Sequence, residues 1–453
     1  MSFPPYESYR DSGEKWLGKL PSHWNVGPLK HVIQSGRPIT YGIVQAGPDV
    51  AYGVPYIRPA DMDEEAGVVN EAGLLRTAPE IAQAYQRSEV RAGDLVCSIG
   101  PSFGKVMVVP SSLSGANLTQ GTARVAIRAG TAPRYVFWAL RSLPSFAQWE
   151  SSVGGATFRA LNLEPLANTV ISLPPATEQA SIAAFLDRET AKIDALVDEQ
   201  RRLIELLKEK RQAVISHAVT KGLDPTAPMK DSGVEWLGEV PAHWRVCLLK
   251  RAFQEIDYGI SDSLDLEGAV AVLRMGNIQD GGITLADLKY VGQVEPELLL
   301  RPLDLLFNRT NSLDQIGKVG MIVDLPDTPL TFASYLVRLR VEASCMPAFM
   351  AFLLNAEGIL GEARARAFVA IGQCNLNPTR YGEIVVALPP LNEQAGIAQF
   401  IERESALLDQ LRAEAELAIA LLGERRAALI SAAVTGKIDV RGPLSRAAEA
   451  AAA

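Results

Sequence analysis

The side chains that could perform catalysis in this chain do not form a recognised catalytic motif. Two Gly-Lys-Val stretches, at Gly104 and Gly317, lack the upstream glycine spacing and the following Ser or Thr of a phosphate-binding loop. The chain contains no GxGxxG dinucleotide fingerprint and no HExxH zinc motif, and Asn377-Pro378 alone is not an amino-methyltransferase motif. The sequence therefore predicts a binding protein with no catalytic residues, no cofactor and no metal ion of its own.

The histidines and cysteines point to no catalytic or metal site either. His23 and His243 occupy matching positions in a repeated phrase, where a structural hydrogen bond is a better interpretation than catalysis. The four cysteines are far apart and form no CxxC pair, which argues against zinc and against a disulfide framework. We therefore expect a reducing, cytoplasmic environment. The sequence shows no secretory signal and no stretch of about 18 apolar residues that would cross a membrane.

The repeated phrase contains two tryptophans in each copy. Asp11–Trp24 reads DSGEKWLGKLPSHW and Asp231–Trp244 reads DSGVEWLGEVPAHW, with nine of the fourteen positions identical. Aromatic side chains bury large areas, and the shared proline rigidifies the turn between them. We expect each phrase to dock a module onto a common scaffold, with partner binding as the competing interpretation. The docking residues would be Trp16, Pro21, Trp24, Trp236, Pro241 and Trp244.

The whole chain is a tandem duplication. A block that begins LPPATEQ at Leu173 returns as LPPLNEQ at Leu388, 215 residues later. The segments between the repeated blocks, 25–172 and 245–387, are largely dissimilar. A period this long is not that of a solenoid, so the pattern predicts one scaffold that presents two independently specialised modules.

Each LPP block opens a long predicted helix. Thr177 and Asn392 are suitable N-caps just after the prolines, and Gly222 and Gly436 end the two patterns. Helices of about 40 residues would be roughly 60 Å long. Their apolar stripes need a partner, for which the twin helix is the obvious choice; parallel and antiparallel pairing are both open, and we expect antiparallel. The predicted heptad seam contains Ile193, Leu196, Leu203, Leu207, Leu408, Leu411 and Leu422.

The modules are predicted to contain both strands and helices. Short β-rich runs such as Asp94–Ser98 and Asp304–Phe307 are punctuated by Gly and Pro, and helical stretches follow at Pro133–Leu143 and Pro347–Leu354. The predicted fold class is mixed α/β, with two α/β modules separated by two long antiparallel coiled-coil helices in a pseudo-twofold internal repeat. The predicted boundaries are 1–172 for the first phrase and module, 173–222 for the first helix, 223–387 for the second phrase and module, 388–440 for the second helix, and 441–453 for a disordered tail.

The duplicated order of phrase, divergent module, LPPxxEQ block and long helix resembles the specificity subunit of type I restriction–modification systems. The resemblance covers nearly the whole chain, from about Tyr9 to Asp439. It implies two target recognition domains, each of which reads one half of a bipartite, asymmetric site in double-stranded DNA. It also implies that the helices set the length of the DNA spacer between the two half-sites. The helices would dock two methyltransferase (modification) subunits, and restriction/translocase subunits would join the full complex. The subunit itself would be non-catalytic, in a prokaryotic cytoplasm, with S-adenosylmethionine and ATP bound only by its partners.

Polar side chains next to buried strands are the candidates for reading DNA. Arg and Lys bind phosphates or guanine edges, whereas Asn and Gln read adenine. The candidates are Arg58, Ser102, Lys105, Thr157 and Arg159 in the first module, and Arg274, Asn308, Arg309, Asn311, Lys318, Gln373 and Asn375 in the second.

The charge balance argues against tight DNA binding by the chain alone. The formal net charge is −8 and the pI is about 5.3. Residues 25–172 contain 12 basic and 11 acidic side chains, and residues 245–387 contain 13 and 17. We therefore expect modest affinity for DNA in the absence of partners. The alternative function is a non-catalytic protein–protein scaffold that spaces two binding modules.

Overall fold

The chain forms two compact units. The computed structural model describes residues 3–63, 68–69, 71–153, 159–279, 281–370 and 372–442. Unit 1 comprises Met1–Arg201 together with Leu417–Ala453, and unit 2 comprises Arg202–Glu416. Unit 2 is therefore one continuous stretch of chain inserted between the two parts of unit 1.

Two of the helices are much longer than the rest. The helices are α1 (Pro79–Ala84), α2 (Pro133–Leu140), α3 (Leu143–Val153), α4 (Leu163–Ala167), α5 (Ala176–Lys221), α6 (Pro347–Leu354), α7 (Glu357–Arg366), α8 (Pro378–Gly382) and α9 (Leu391–Val434). α5 has 46 residues and α9 has 44, which corresponds to about 69 Å and about 66 Å. Each begins one residue before its predicted N-cap. The predicted mixed α/β class with two long helices is confirmed. Among the described residues, no helix has both the length and the apolar character of a membrane span.

Unit 1 is built on a four-stranded sheet in the order β10-β9-β12-β4 and a three-stranded sheet in the order β11-β5-β8. Its strands are β1 (Tyr9–Asp11), β2 (Lys19–Pro21), β3 (Asn25–Pro28), β4 (Thr40–Tyr41), β5 (Val54–Ile57), β6 (Met62–Asp63), β7 (Val68–Val69), β8 (Arg76–Thr77), β9 (Leu95–Ser98), β10 (Val106–Val108), β11 (Asn117–Leu118), β12 (Thr122–Val125) and β13 (Val170–Leu173). The two-stranded sheets are β1-β2, β3-β13 and β6-β7.

The central strand β9 is buried at all four positions because both faces of its sheet are covered. Leu95 and Cys97 belong to the main core of unit 1, which also contains α2 and residues of both long helices. Val96 points to the opposite face and joins a second apolar cluster with Ile57 and Leu118. The uninterrupted apolar sequence of this strand therefore reflects two cores rather than one.

Unit 2 repeats this topology with longer strands. Its strands are β14 (Met229–Asp231), β15 (Glu239–Pro241), β16 (Arg245–Leu248), β17 (Phe253–Tyr258), β18 (Val270–Leu273), β19 (Ile278–Gln279), β20 (Gly282–Ile283), β21 (Lys289–Val291), β22 (Leu305–Asn308), β23 (Thr310–Asn311), β24 (Val319–Met321), β25 (Leu330–Phe332), β26 (Leu336–Val341), β27 (Phe368–Ala370), β28 (Gln373–Asn375) and β29 (Val385–Leu388). The order β24-β22-β26-β17 matches β10-β9-β12-β4, and β25-β18-β21 matches β11-β5-β8. The dissimilar modules thus share one fold.

Within each unit, the segments of α5 and α9 run in opposite directions. In unit 1, Arg426 of α9 bonds Asp194 of α5 at 2.9 Å. The carbonyl of Val434, further along α9, accepts a hydrogen bond from Ser172, just before α5 begins. Moving towards the start of α5 therefore means moving towards the end of α9, so the two helices are antiparallel here. In unit 2, Arg211 and Asp409 form the matching ion pair at 3.3 Å. The predicted antiparallel direction is confirmed.

The residues of the predicted seam differ widely in exposure. Ile193, Leu207 and Leu408 are buried, and Leu422 is half-buried. Leu196, Leu203 and Leu411 are 51%, 40% and 39% exposed. A pair of helices covers only one narrow stripe on each, so these leucines remain on an apolar outer face.

Candidate nucleic-acid interface

The repeated phrase of unit 1 is attached to the first turn of α5 through Glu178. The indole nitrogen of buried Trp24 donates to Glu178 Oε2 at 2.9 Å, and His23 Nε2 lies 2.7 Å from Oε1. The Tyr6 hydroxyl donates to the same carboxylate at 3.2 Å. Burial and the nearby Glu178 charge raise the pKa of Tyr6, so its hydroxyl stays a hydrogen-bond donor well above neutral pH. A carboxylate in the first turn is also favoured by the helix dipole.

Unit 2 repeats this attachment with Glu393 at the start of α9. Trp244 Nε1 donates to Glu393 Oε2 at 3.0 Å, and His243 Nε2 lies 2.7 Å from Oε1. The structural hydrogen bonds predicted for the two histidines are confirmed. The two glutamates differ in exposure: the Glu178 side chain is 9% exposed, and the Glu393 side chain is 37% exposed.

The glutamine that follows each glutamate holds the neighbouring helix of the module. Gln179 Oε1 accepts the Ala132 amide at 2.8 Å, just before α2. Gln394 Oε1 accepts the Met346 amide at 2.7 Å, just before α6. The sequence analysis assigned no role to either glutamine, although the Glu-Gln pair is repeated in both LPP blocks and this repetition could have indicated one. In each unit, the glutamate and the glutamine together connect the phrase, the long helix and the module.

The other residues of the phrase pack against the ends of the long helices and against the module. In unit 1, Pro21 contacts Gly436, and in unit 2 the ring of Trp244 lies beside Gly222, with Pro241 also close. The ring of Trp236 covers Gly358 in α7. Trp16 is half-buried, and the Lys15 ammonium lies 4.7 Å from its ring centroid. Each phrase therefore contacts several elements of its own unit.

Four of the predicted DNA-reading residues come together in unit 2. Strand β28 pairs with β23 on one side and with β27 on the other, so that Asn375 lies opposite Thr310 and Cys374 lies opposite Asn311. Arg309 donates to Asn375 Oδ1 at 3.3 Å, and its guanidinium lies 5.0 Å from the Tyr258 ring centroid. Gln373 is exposed beside them. This sheet thus concentrates one guanidinium and three amides.

The remaining candidates of unit 2 have internal partners or are buried. Asn308 is 1% exposed because β22 extends one residue beyond its apolar run. Arg274 donates to the Asp287 carbonyl at 2.6 Å, and its own amide is capped by Asn277. Lys318 Nζ donates to Gln315 Oε1 at 2.9 Å.

In unit 1, two of the candidates are held by the segment 58–62. Arg58 forms a two-pronged ion pair with Asp61, at 2.9 Å and 2.6 Å, which raises the pKa of the guanidinium. Lys105 Nζ donates to the carbonyls of Pro59 and Met62 at 3.2 Å and 3.0 Å. Both side chains therefore fix a loop in this structure.

The other candidates of unit 1 lie near its surface. Ser102 is exposed. Arg159 pairs with Glu150, and its guanidinium lies 5.9 Å from the Phe103 ring centroid. Thr157 lies outside the described residues. Across the described ranges of both units, no three His, Cys, Asp or Glu side chains meet in a way that could hold a metal ion.

A comparison with protein families finds a match in the first part of the chain. Residues 21–206 match the family model of the type I restriction modification DNA specificity domain. These residues include Trp24, Glu178 and all the strands of unit 1 from β3 to β13. These residues are therefore similar to a type I specificity domain. The predicted resemblance to type I specificity subunits is confirmed.

Similarity to such subunits extends beyond residues 21–206. The chain is 24% identical to the type I restriction enzyme StySPI specificity subunit of Salmonella potsdam over 438 residues, which cover 94% of this chain and 91% of that protein. It is 25% identical to the EcoKI specificity subunit of Escherichia coli K12 over 289 residues, 62% of this chain. The aligned stretches span 60% of the EcoKI subunit and 44% of the EcoBI subunit.

Two solved structures have a fold similar to that of nearly the whole chain. A chain from a structure of the type I R-M system, described for complex assembly and conformational transition, has a TM-score of 0.70 and 16% identity. The comparison covers 92% of this chain and 98% of that chain. The HsdS subunit of Thermoanaerobacter tengcongensis has a TM-score of 0.53 and 17% identity, with the same coverages.

Proposed function

We propose that this chain is the DNA-binding specificity subunit of a type I restriction–modification complex, in which each module reads one half of a bipartite, asymmetric site. The observation that carries the proposal is the repeated topology of the two modules, because one fold with different polar surfaces can read two different half-sites. The specificity-domain match and the full-length similarity to type I subunits support it. The subunit recognises DNA and leaves the chemistry to its partners, in a prokaryotic cytoplasm.

The base-reading residues of the second module are proposed to be Arg309, Asn311 and Gln373. Arg309 is half-buried and positioned by Asn375 and Tyr258, which would limit the rotamer freedom it loses on binding. Guanidinium and amide groups pair with guanine and adenine edges, respectively, in the major groove. In the first module, Ser102 and Arg159 are the exposed candidates. The candidates with internal partners would support their loops and could contact phosphates but not bases. They are Arg58, Lys105, Arg274 and Lys318.

The outer faces of the long helices are proposed to dock two methyltransferase subunits, with restriction subunits joining the full complex. In unit 1, Leu196, Leu417 and Leu421 are 51%, 60% and 55% exposed. In unit 2, Leu206 and Leu407 are 51% and 52% exposed. Apolar stripes of this kind on a helix pair are favourable surfaces for further helices. A duplicated chain offers two equivalent stripes, which supports two copies of the partner.

Selection from random duplexes tests the proposal. The chain, reconstituted with the methyltransferase subunit encoded beside it, should enrich two short motifs separated by a fixed gap. Mapping of methylated adenines in the host genome should return the same bipartite site. If the reconstituted complex binds its protein partner but selects no DNA motif, the protein–protein scaffold becomes the better function.

The isolated chain should bind DNA weakly. Neither module is broadly basic, so few phosphates are neutralised without partners. In filter-binding titrations, addition of the methyltransferase subunit should raise the affinity for the selected site by at least about 100-fold. Tight, salt-insensitive binding by the chain alone would contradict this expectation.

The lengths of α5 and α9 are proposed to set the gap between the half-sites. Four residues added to the middle of both helices should lengthen each by about 6 Å. Because stacked base pairs are about 3.4 Å apart, the selected gap should grow by about two base pairs while both half-sites stay unchanged. The control adds four residues to the exposed turn at Thr226, which should leave the gap as it was. An unchanged gap in the helix variant would rule out this role.

A further inference from the structure

The exposed charges of the two repeated phrases are reversed. Lys15 and Lys19 of the first phrase correspond to Glu235 and Glu239 of the second, and all four side chains are exposed. The first phrase contains two acidic and two basic side chains, whereas the second contains three acidic and no basic ones. On its inner side, each phrase bonds to the glutamate of a long helix through one tryptophan and one histidine. The reversal therefore concerns the outer side of a common attachment.

Three lysine side chains of unit 1 surround one shallow depression. Lys15, Lys19 and Lys437 line it together with Tyr9 and Trp16. The described residues that line it include no carboxylate, and none of the three ammonium groups forms an ion pair within the described part of the chain. The Lys15 ammonium lies 4.7 Å from the Trp16 ring centroid, which holds the cation beside an apolar surface. An acidic segment with an apolar side chain would complement this depression.

The corresponding surface of unit 2 would repel such a segment. Glu239 lies directly opposite Asp231 in the β14–β15 hairpin, where two like charges are unfavourable. The neighbouring Lys221 ammonium donates to the carbonyls of Leu237 and Glu239. The same hairpin thus presents ammonium groups in one unit and carboxylates in the other. A partner with one fixed docking surface cannot complement both.

Double-stranded DNA does not fit this pair of surfaces. The same tryptophan–glutamate contact attaches each phrase within its own unit, so both phrases would stand in the same relation to their half-sites. A duplex carries phosphate charge along its whole length. If the phrases faced the duplex, Glu235 and Glu239 would meet phosphates, and such like-charge contacts are unfavourable. A protein surface is therefore the better occupant.

We propose that the depression lined by Lys15, Lys19 and Lys437 binds an acidic segment of the methyltransferase subunit, and that two copies of this subunit bind with unequal affinity, first at unit 1 and then at unit 2. This inference rests on the proposed function. The apolar stripes of the two units would each hold one copy, but the phrase of unit 2 opposes the second copy. A subunit docked at Leu196 would reach the first phrase by extending about 27 Å along α5, which is within the diameter of a small domain.

A titration that resolves the two units tests this inference. The purified methyltransferase subunit is added to the full chain at about 50 mM salt. Hydrogen exchange in peptides from the two phrases reports the occupancy of each unit separately. Protection of Asp11–Trp24 should reach its midpoint at a partner concentration at least about ten-fold lower than protection of Asp231–Trp244, as expected for reversal of two exposed charges. At about 500 mM salt the two midpoints should converge, because exposed charges are screened.

Charge reversal should move the two midpoints in opposite directions. Lys15→Glu with Lys19→Glu should raise the midpoint of unit 1 by about ten-fold, to the value of unit 2. Glu235→Lys with Glu239→Lys should lower the midpoint of unit 2 by a similar factor. Lys15→Arg with Lys19→Arg keeps both charges and should leave the midpoint of unit 1 where it was.

The matched control is Arg91→Glu with Arg128→Glu. These changes alter the net charge by the same amount as Lys15→Glu with Lys19→Glu, at two exposed positions of unit 1 outside the phrase. Both midpoints should stay unchanged. Equal melting temperatures of the variants and the wild type would show that the changes act on binding rather than on folding.

The outcomes separate this inference from the function on which it rests. If the methyltransferase subunit does not bind the chain, both fail. If the two midpoints are equal at low salt, the inference alone is overturned. The same holds if neither phrase gains protection although native mass spectrometry shows two bound copies. Protection of the first phrase only after DNA is added would assign the depression to phosphates and would also overturn the inference.

Discussion

Replacing Glu178 by alanine should lower the free energy of unfolding of unit 1 by about 3–5 kcal/mol. The carboxylate accepts hydrogen bonds from Trp24 and Tyr6, both of which are buried. Without it, the indole N–H and the phenol O–H would lie in an apolar core with no acceptor, at about 1–3 kcal/mol each. His23 contributes less, because its side chain is 44% exposed and can bond to water.

The equivalent substitution in unit 2 provides the internal control. Glu393→Ala should lower the stability of unit 2 by only about 1–2 kcal/mol, since Glu393 is 37% exposed and water can reach the groups that lose it. Denaturant-dependent hydrogen exchange, read by mass spectrometry, would report the two units separately. Glu178→Gln, which keeps one acceptor oxygen, should fall between wild type and Glu178→Ala. Equal losses in the two units would show that burial of the carboxylate is not the cause.

The long helices could be predicted because their signals are local. Proline pairs stand before each start, and a glycine that adopts positive φ follows each end. Strands β9 and β22 were also predictable, since an apolar run bounded by Asp and by polar residues needs no long-range information. The direction of the helix pair was a choice between two possibilities that only tertiary contacts such as Asp194–Arg426 could decide.

The site was harder to predict because a side chain's partners are distant in sequence. Arg58 and Arg274 look like free cations in the sequence, yet Asp61 binds the guanidinium of the first and the Asp287 carbonyl binds the second. Asn308 looks like a loop residue but belongs to a buried strand end. Phe368 and Val369 would be placed in the core by their hydrophobicity, and only the position of β27 at a sheet edge exposes them.

Gly436→Ala should be the most damaging small substitution at the attachment of the phrase in unit 1, with a loss of about 2–5 kcal/mol in the free energy of unfolding. Gly436 has a φ of +65°, a conformation that costs an L-residue about 1–2 kcal/mol. An added Cβ would also lie 2.4 Å from Pro21 Cδ, and the proline ring cannot turn away. Such overlap in a packed region adds about 1–3 kcal/mol.

Gly222→Ala is the matched change at the end of α5. Its φ of +76° imposes a similar backbone strain, but the nearest contact of the new Cβ would be 3.2 Å, to the Trp244 ring. A ring edge at that distance can shift by a few tenths of an ångström, so the total should stay at about 1–2 kcal/mol. Hydrogen exchange at the phrase of each unit is the measurement. If both variants lost the same stability, backbone strain alone would explain the effect, and the contact with Pro21 would not be what fixes the first phrase to the end of α9.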